Sequence, residues 1–237
     1  MLAIFKREMR SYFNSVLGFV FVAAFMAITN VYFMINSLMQ GSSMLTPTFS
    51  IMPIVLMLLM PLLTMRSFSE EYKQKTDQLL LTAPIRPGEI VSGKFMAVMA
   101  VFTTAMLHTL IWVLLVSLYG TPFPAEIIGS YLATFCLASV FVSIGIFMSS
   151  LTENQIISAV CSIGIFFLLY LLDILVGGLG SSLPGWLYTF LSFFSLYTRS
   201  ASLSAGMLLF SDIVYYLSMT GLFLFLTVRV LDKKRWG

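Results

Sequence analysis

The sequence predicts an all-α membrane protein with six transmembrane helices and with both termini on the cytoplasmic side. First, 59% of the 237 residues are hydrophobic and only 10% are charged, which excludes a soluble domain of this length. Second, the apolar residues fall into six stretches that are long enough to cross a bilayer. Third, if the six stretches cross the membrane in turn, twelve of the thirteen Lys and Arg residues lie on the same side of it. Cationic residues stay on the cytoplasmic side during insertion, so six crossings return the chain to that side.

The net charge of +3 therefore reflects membrane topology and does not predict nucleic acid binding. We expect some of the cations to contact anionic lipid headgroups. We also expect a multi-pass protein of the bacterial cytoplasmic membrane. Arg199 alone lies on the outer side, and the other cations are Lys6, Arg7, Arg10, Arg66, Lys73, Lys75, Arg86, Lys94, Arg229, Lys233, Lys234 and Arg235.

Residues 1–15 predict a short amphipathic helix that lies on the cytoplasmic membrane surface. A simple flank of the first span is the alternative. The apolar run that follows, residues 17–38, is longer than the roughly 7–15 residues of a signal-peptide core, so we expect a retained span. The apolar face comprises Leu2, Phe5, Met9, Tyr12 and Phe13, and Lys6, Arg10 and Asn14 fall opposite it.

The six apolar stretches each reach roughly the 30 Å thickness of the hydrocarbon core, although the second is marginal. That second stretch contains Pro53 and Pro61. Proline removes a backbone donor, so we expect a kinked helix that is packed inside a bundle. The predicted spans are residues 17–38, 49–65, 95–119, 127–151, 156–176 and 213–230.

Residues 177–211 form a long segment on the outer side. The segment opens with Gly177 and Gly178, and its aromatic run at 186–194 is too short to cross the membrane. Aromatic residues favour the membrane interface, so we expect short helices that lie there or dip back into the bilayer. A seventh span is the alternative, and it would place the basic C-terminus outside.

Cys136 and Cys161 both lie inside apolar stretches, so we expect two buried thiols and neither a disulfide nor a metal pair. The single histidine excludes a multi-histidine metal site.

The only substantial polar segment is residues 66–94, between the second and third spans. Ser67 and Glu70 fit a capping box, which predicts that a helix starts there. Pro84 ends that segment, and Pro87 can begin the next helix. A short helix held between two membrane helices predicts a docking element, and a merely solvated loop is the alternative.

This loop resembles the loop between the second and third helices of ABC exporter permeases of the ABC-2 type. The resemblance is carried by EEYKQKTDQLLLTAP at residues 70–84 and by EIVSGKF at residues 89–95. Within that type it more closely resembles the group that includes the gliding-motility and nitrous-oxide-reductase-maturation permeases. In that group a glycine is usual where Lys75 stands, and one Glu is usual where Asp77 and Gln78 stand.

The resemblance extends to the basic amphipathic start, the turn at residues 149–155 and the ending at 212–236. It implies a single permease domain, residues 1–237, in which the 66–94 helix is a coupling helix that seats in a separate ATPase subunit. A turn between the fourth and fifth spans makes a smaller second contact, although a basic residue is usual where Glu153 stands. The implied contact residues are Glu70, Glu71, Thr76, Asp77 and Leu80 in the loop, and Thr152, Glu153, Asn154 and Gln155 in the turn.

Such a permease implies several partners. It is one half of a transporter, so a second, identical or similar permease half is expected beside the ABC ATPase. An accessory membrane or extracytoplasmic protein is a further possible partner. The chain itself is expected to hold no cofactor and to have no enzyme activity, because ATP and Mg²⁺ would bind in the partner ATPase. The implied activity is transport, in the direction of export.

The segment from Gly88 to Phe95 matches seven of the eight positions of a phosphate-binding P-loop. The eighth position requires a Ser or Thr hydroxyl for Mg²⁺, and here it is Phe95. The segment also follows prolines rather than a buried strand. We therefore expect no nucleotide binding by this chain.

His108 and Asp173 are the candidates for a translocation pathway, because ionisable groups inside a membrane often have a function. The alternative for His108 is a neutral ring that is hydrogen-bonded between helices, and the alternative for Asp173 is contact with external water. The sixteen Met and twenty-two Phe residues suit an adaptable cavity and lipid-facing packing equally well, so they identify no substrate.

Two other functions are compatible with parts of the sequence. A membrane scaffold would recruit an ATPase or secretion partner without carrying a substrate. An ion channel would need a ring of charges or a carbonyl filter, and neither is visible. An ATPase gene beside this one would favour the transporter over the scaffold.

Overall fold

The computed structural model describes residues 1–42, 44–76, 85–121, 123–179, 184–207 and 209–236. All regular structure within these residues is helical. The helices are α1 (Leu2–Asn14), α2 (Val16–Phe33, continued by a π-helical turn, Met34–Leu38), α3 (Thr46–Phe49), α4 (Met52–Thr64), α5 (Ser69–Lys73), α6 (Pro87–Leu107), α7 (Leu110–Tyr119), α8 (Pro124–Leu151), α9 (Gln155–Leu179), α10 (Gly185–Phe193), α11 (Leu196–Ser204) and α12 (Phe210–Trp236).

Six segments of the described chain are long and apolar enough to cross a membrane, which confirms the predicted number of spans. The second segment is longer than the sequence predicts, because helical turns continue past residue 65 toward α5. The segments are Val16–Leu38, Thr46–Lys73, Pro87–Leu118, Pro124–Leu151, Gln155–Gly178 and Phe210–Arg235.

Helix α1 packs along α6 and the start of α2. Its buried face is centred on Ile4 and Tyr12, and the Tyr12 hydroxyl donates a hydrogen bond to the carbonyl of Leu63 at 2.8 Å. Leu2, on the apolar face that is predicted to meet the membrane surface, is 68% exposed. The inward face follows the four-residue spacing of Ile4, Glu8 and Tyr12, because Glu8 has charged partners inside the protein.

The second span is interrupted between α3 and α4, at Ser50 and Ile51. Pro53 lies in the first turn of α4, where an N–H group would have no partner within the helix, so its absence costs no hydrogen bond. The helical pattern is therefore interrupted beside Pro53, whereas Pro61 stays inside α4. A kink in this span stays a prediction.

The third span is interrupted at His108 and Thr109, between α6 and α7. The Thr109 hydroxyl donates to the carbonyl of Met106 at 2.7 Å, and His108 Nδ1 lies 2.5 Å from the carbonyl oxygen of Ala105. Side chains that bond back to the preceding turn compete with the helical hydrogen bonds, which explains a break without proline.

Helix α8 is the centre of the bundle and contacts α4, α6, α9, α11 and α12. In its most apolar stretch 67% of the residues are buried, against 17% for the fifth span. Gly145 allows α8 to approach α4 closely, since a Cβ atom at this position would lie 2.2 Å from Thr64 Oγ1. Small residues permit such backbone approach between membrane helices.

Helices α10 and α11 lie between the fifth and sixth spans. Helix α11 packs against α8, and the hydroxyl of Tyr216 in α12 donates to the carbonyl of Leu196 at 2.5 Å. Helix α10 has no buried residue, and the side chains of Trp186 and Phe190 are exposed.

The two cysteines are free, as expected, but only Cys136 is partly buried and Cys161 is exposed on α9. The prediction of two buried thiols is wrong for Cys161. An apolar stretch of a membrane protein can face lipid as readily as the protein interior, so hydrophobicity alone does not predict burial.

We predict that Gly145→Ala lowers the stability of the bundle by about 1–3 kcal/mol, because the added methyl group overlaps Thr64. The measurement is thermal unfolding of the detergent-solubilised protein. The matched control is Gly164→Ala, since nothing lies within 4 Å of a Cβ atom at Gly164. Equal unfolding temperatures for the two variants would contradict the close approach of α4 and α8.

Candidate functional site

One end of the bundle carries α1, α5, the start of α6 and the ends of α8 and α12, and we call it the basic end. Four charged side chains from α1, α5 and α6 meet there: Arg7, Glu8, Glu71 and Lys94. Arg7 Nη2 lies 2.6 Å from both Glu8 Oε1 and Glu71 Oε1. Lys94 Nζ lies 3.1 Å from Glu8 Oε1 and 3.0 Å from Glu71 Oε1. These four residues are the ion cluster, and their two cations balance their two carboxylates.

Lys94 is the buried member of the ion cluster, with 2% of its side chain exposed. Its ammonium group also donates to the carbonyl of Ser67 at 2.5 Å and lies 4.9 Å from the centre of the Phe68 ring. A buried ammonium needs partners on all sides to offset its desolvation. Burial alone would raise the pKa of Glu8, but Lys94 and Arg7 outweigh it and lower that pKa, so the carboxylate is ionised at neutral pH.

Glu70 and Glu71, two of the predicted ATPase contacts, are both bonded within this chain. Glu70 accepts from Arg66 Nε at 2.5 Å and from Arg66 Nη2 at 3.0 Å, and Gln74 Nε2 donates to it at 3.2 Å. The Glu70 side chain is 27% exposed and that of Glu71 is 14% exposed. Their geometry therefore positions α5, and their contact with an ATPase stays a prediction.

The start of α5 is held by Ser149, at the end of α8. The Ser149 hydroxyl accepts from the backbone N–H groups of Phe68 at 2.9 Å and Ser69 at 3.1 Å, and it donates to the carbonyl of Met65 at 3.1 Å. The predicted capping box with Ser67 as the N-cap is wrong: the N-cap is Phe68 and no side chain of α5 caps it. The cap comes from another span, so the amides at the start of α5 find their acceptor in a residue that is far away in the sequence.

The end of α5 is a Schellman turn that requires a left-handed residue. The N–H of Thr76 donates to the carbonyl of Glu71 at 3.0 Å, and the N–H of Lys75 donates to that of Tyr72 at 3.1 Å. Lys75 accordingly has a φ of 55°, a conformation that favours glycine. This is the position at which the resembling permeases usually carry glycine.

The C-terminal end of α12 contacts the same region. Lys234 Nζ donates to the carbonyl of Ser150 at 3.1 Å and lies 3.5 Å from the centre of the Tyr72 ring. Arg235 Nη1 donates to the carbonyl of Ile85 at 3.2 Å. Helix α5 is therefore fixed by α1 and α6 on one side and by α8 and α12 on the other.

Of the other predicted loop contacts, Thr76 is exposed, and its hydroxyl lies 3.4 Å from the carbonyl oxygen of Glu71. Asp77 and Leu80 lie outside the described residues. The exposed surface of α5 and its C-terminal turn is formed by Lys73, Gln74, Lys75 and Thr76.

The turn between α8 and α9 lies beside α5 at the basic end. Asn154 Oδ1 accepts from the N–H of Ile156 at 2.9 Å and so caps α9, and the Thr152 hydroxyl donates to the carbonyl of Asn154 at 3.2 Å. Glu153 is exposed, and Gln155 begins α9. Asn154 and Thr152 thus shape the turn, while Glu153 presents a free surface for the predicted second contact.

His108 and Asp173 are not brought to the basic end. His108 Nε2 lies 3.4 Å from the Thr29 hydroxyl, and its ring meets those of Phe25 and Trp112 edge to face. His108 lines a cavity of about 360 Å³ between the first and third spans. These contacts match the alternative of a histidine that is hydrogen-bonded between helices.

Asp173 lies at the opposite end of the bundle, which we call the distal end and which comprises the break between α3 and α4, the start of α8, the end of α9, α10, α11 and the start of α12. Its Oδ1 accepts from the hydroxyls of Ser195 and Thr198. Asp173 therefore bonds to the start of α11 and lines a cavity at this end.

The residues that sequence reasoning missed are those that pair across long separations. Lys94 carried a signal, because it is a lysine seven residues into a membrane helix and such a charge needs a buried partner. Glu8 carried the matching signal as an acid on the inner face of an amphipathic helix. Ser149 and Lys234 carried none, since a serine or a lysine that bonds to main-chain groups leaves no complementary residue type in the sequence.

A family model described as ABC-2 family transporter protein matches residues 1–235. No curated protein matches this chain.

We predict that Ser149→Ala loosens the start of α5, because the N–H groups of Phe68 and Ser69 lose their hydrogen-bond acceptor. Leaving a buried donor without a partner costs about 1–3 kcal/mol. Amide hydrogen exchange of the peptide that covers residues 65–76 should become faster. Ser143→Ala is the matched control, since the hydroxyl of Ser143 is buried in the same helix but bonds only to the carbonyl of Val140. Unchanged exchange in Ser149→Ala would show that this cap does not hold α5.

We predict that Lys75→Gly raises stability by about 0.5–1 kcal/mol. Glycine adopts the left-handed conformation without the strain of roughly 1–2 kcal/mol that a residue with a side chain carries. The gain is partly offset, because glycine also raises the conformational entropy of the unfolded chain. Thermal unfolding measures the difference, and Lys73→Gly, in the helical part of α5, should lower stability instead. A loss of stability in both variants would contradict the Schellman turn.

Proposed function

The chain belongs to the ABC-2 family of transporter proteins, the membrane part of an ABC transporter, and we propose that it exports its substrate with ATP hydrolysed by a separate ATPase subunit. In this proposal α5 and its C-terminal turn are the coupling element. In the same proposal, ATP and Mg²⁺ bind in the partner ATPase and not in this chain.

One observation supports this role for α5 above the others: a five-residue helix at the end of the second span is fixed to four other helices. The ion cluster joins it to α1 and α6, Ser149 joins it to α8, and Lys234 joins it to α12. A solvated loop would need none of these contacts. A helix fixed in this way passes a displacement to the spans instead of absorbing it.

The proposed mechanism starts when closure of the ATPase displaces α5. Lys94 and Glu71 carry this displacement into α6, and Ser149 carries it into α8, the helix that contacts most of the bundle. The pathway would then open between this chain and a second permease half, identical or similar. The direction of opening and the second half are parts of the proposal.

The surface that faces the ATPase in this proposal is the exposed part of α5 with Thr76, extended by Asp77 and Leu80 and by the turn at Thr152 and Glu153. Glu70 and Glu71 have a different role. They position α5, since the structure holds both in ion pairs with residues of this chain.

We predict that the chain co-purifies with a P-loop ATPase in mild detergent, identified by mass spectrometry and by ATP hydrolysis. Leu80→Arg should release the ATPase, because it places a charge in the proposed contact. Glu71→Ala should retain the ATPase but lose most of its coupled activity, because Lys94 and Arg7 lose a shared carboxylate and α5 loses its attachment. The activity is measured per complex in reconstituted membranes.

Glu89→Gln is the control, since Glu89 is an exposed carboxylate near the same loop that makes no ion pair among the described residues. It should leave assembly and ATP hydrolysis unchanged. A chain that purifies without any ATPase, or whose complex keeps full activity in Glu71→Ala, contradicts the proposal. An ATPase whose activity responds to no variant of α5 would favour the scaffold.

A further inference from the structure

The distal end contains a cavity of about 420 Å³ between the break in the second span and helices α8, α9 and α11. Phe49, Met52 and Leu137 form apolar walls, and all three are almost completely buried in the protein. Cavities of this size and character accept small organic molecules. The polar groups that line it are hydroxyls, a carboxylate and two tyrosines.

Asp173 supplies the only charge on the cavity wall, since no Lys, Arg or His is among the described residues that line it. Its Oδ1 accepts from Ser195 and from Thr198, the latter at 3.0 Å. No described residue donates to its Oδ2, and it forms no ion pair in the described parts of the chain. The carboxylate is thus oriented by hydroxyls and retains an unoccupied acceptor.

The nearest candidate for a neutralising cation is Arg199, the only Lys or Arg at this end. Its guanidinium is bound elsewhere, 2.7 Å from Asp212 Oδ1 and 4.5 Å from the centre of the Tyr215 ring. A second carboxylate, Glu126, accepts at 3.1 Å from the hydroxyl of Thr46, which lines the cavity. The cavity therefore has a negative potential, and low-dielectric walls concentrate such a field.

Two aromatic rings stand beside this carboxylate. Tyr170 and Tyr197 both line the cavity, and their ring centres lie 5.0 Å apart in an edge-to-face arrangement. An aromatic face attracts an organic cation most strongly where water is excluded. The cavity suits an inorganic divalent ion poorly, because calcium takes 6–8 oxygen ligands, usually with several carboxylates, and only one carboxylate is among the described lining residues.

We propose that this distal cavity binds an organic cation with an apolar body, such as an alkyl or aryl amine, with Asp173 as its counter-ion. The hydroxyls of Ser195 and Thr198 hold the carboxylate in place, and the apolar walls take the body of the ligand. That this ligand is a candidate substrate rests on the proposed function, whereas its binding does not. Binding itself requires neither ATP nor the ATPase.

The test uses three dansyl probes that share an alkyl chain and differ at its end: an ammonium, a methyl and a carboxylate group. Each is titrated into the purified full-length protein, with any partner that co-purifies, in lipid nanodiscs without ATP. Energy transfer from protein Tyr and Trp to dansyl, corrected with empty nanodiscs, reports binding. The ammonium probe should bind most tightly, and Asp173→Asn should weaken it roughly tenfold or more.

Asp173→Asn should leave the binding of the methyl probe unchanged, because the variant keeps an oxygen that can accept from Thr198. Ala201 is an exposed residue of the cavity wall, so Ala201→Leu should narrow the cavity. It should weaken the binding of the ammonium and methyl probes equally. Glu89→Gln, at the basic end, controls for a general loss of negative charge. An unchanged unfolding temperature shows that Asp173→Asn is folded.

The proposal is overturned if the carboxylate probe binds as well as the ammonium probe, or if Asp173→Asn affects all three probes alike or none. The two proposals fail independently. If binding depends on the probe's charge but no ATPase partner is found, the transport function is contradicted and the binding site is supported. If an ATPase complex assembles but binding does not depend on charge, the transport function is supported and the organic-cation site is contradicted.

Discussion

The buried ammonium of Lys94 is the constraint on which the basic end depends. A charge with 2% of its side chain exposed is stable only where partners replace its water. Glu8 and Glu71 supply that replacement from two other helices, and Arg7 neutralises the second negative charge that they introduce. Lys94 thereby joins α6 to both α1 and α5, and Arg7 joins α1 to α5. Helices α1, α5 and α6 are therefore one mechanical unit, although they are separate in sequence.

The opposite side of α5 is held by weaker means. Ser149 uses a neutral hydroxyl, which bonds to two backbone amides and a carbonyl, so no charge loses its partner when these contacts separate. A neutral hydrogen bond contributes about 1 kcal/mol, well below a fully desolvated ion pair that loses a partner. Helix α5 is therefore attached to α6 by charged contacts and to α8 by several neutral hydrogen bonds.

Hydropathy predicted the six spans because a bilayer imposes length and apolarity on every helix that crosses it. It did not predict the break at His108 and Thr109, because side chains that bond back to the main chain leave the apolar pattern intact. It misplaced Cys161 because lipid and protein interior are equally apolar. The ion cluster was not predicted as a set, since Arg7 and Glu71 are 64 positions apart. Local signals identified individual charges, and only the fold could pair them.

The distribution of charge connects the two ends of the molecule. By sequence position the basic end has twelve cations against seven carboxylates, and the distal end has one cation against three. The first imbalance is the signal that orients a membrane protein. The second follows from it, because cations kept on one side leave the carboxylates of the other side unmatched. Arg199 can neutralise only one of these, and the structure assigns it to Asp212. The excess negative charge then stays with Glu126 and Asp173, beside the cavity, where a cationic ligand would supply the positive charge that the described residues of this chain do not provide.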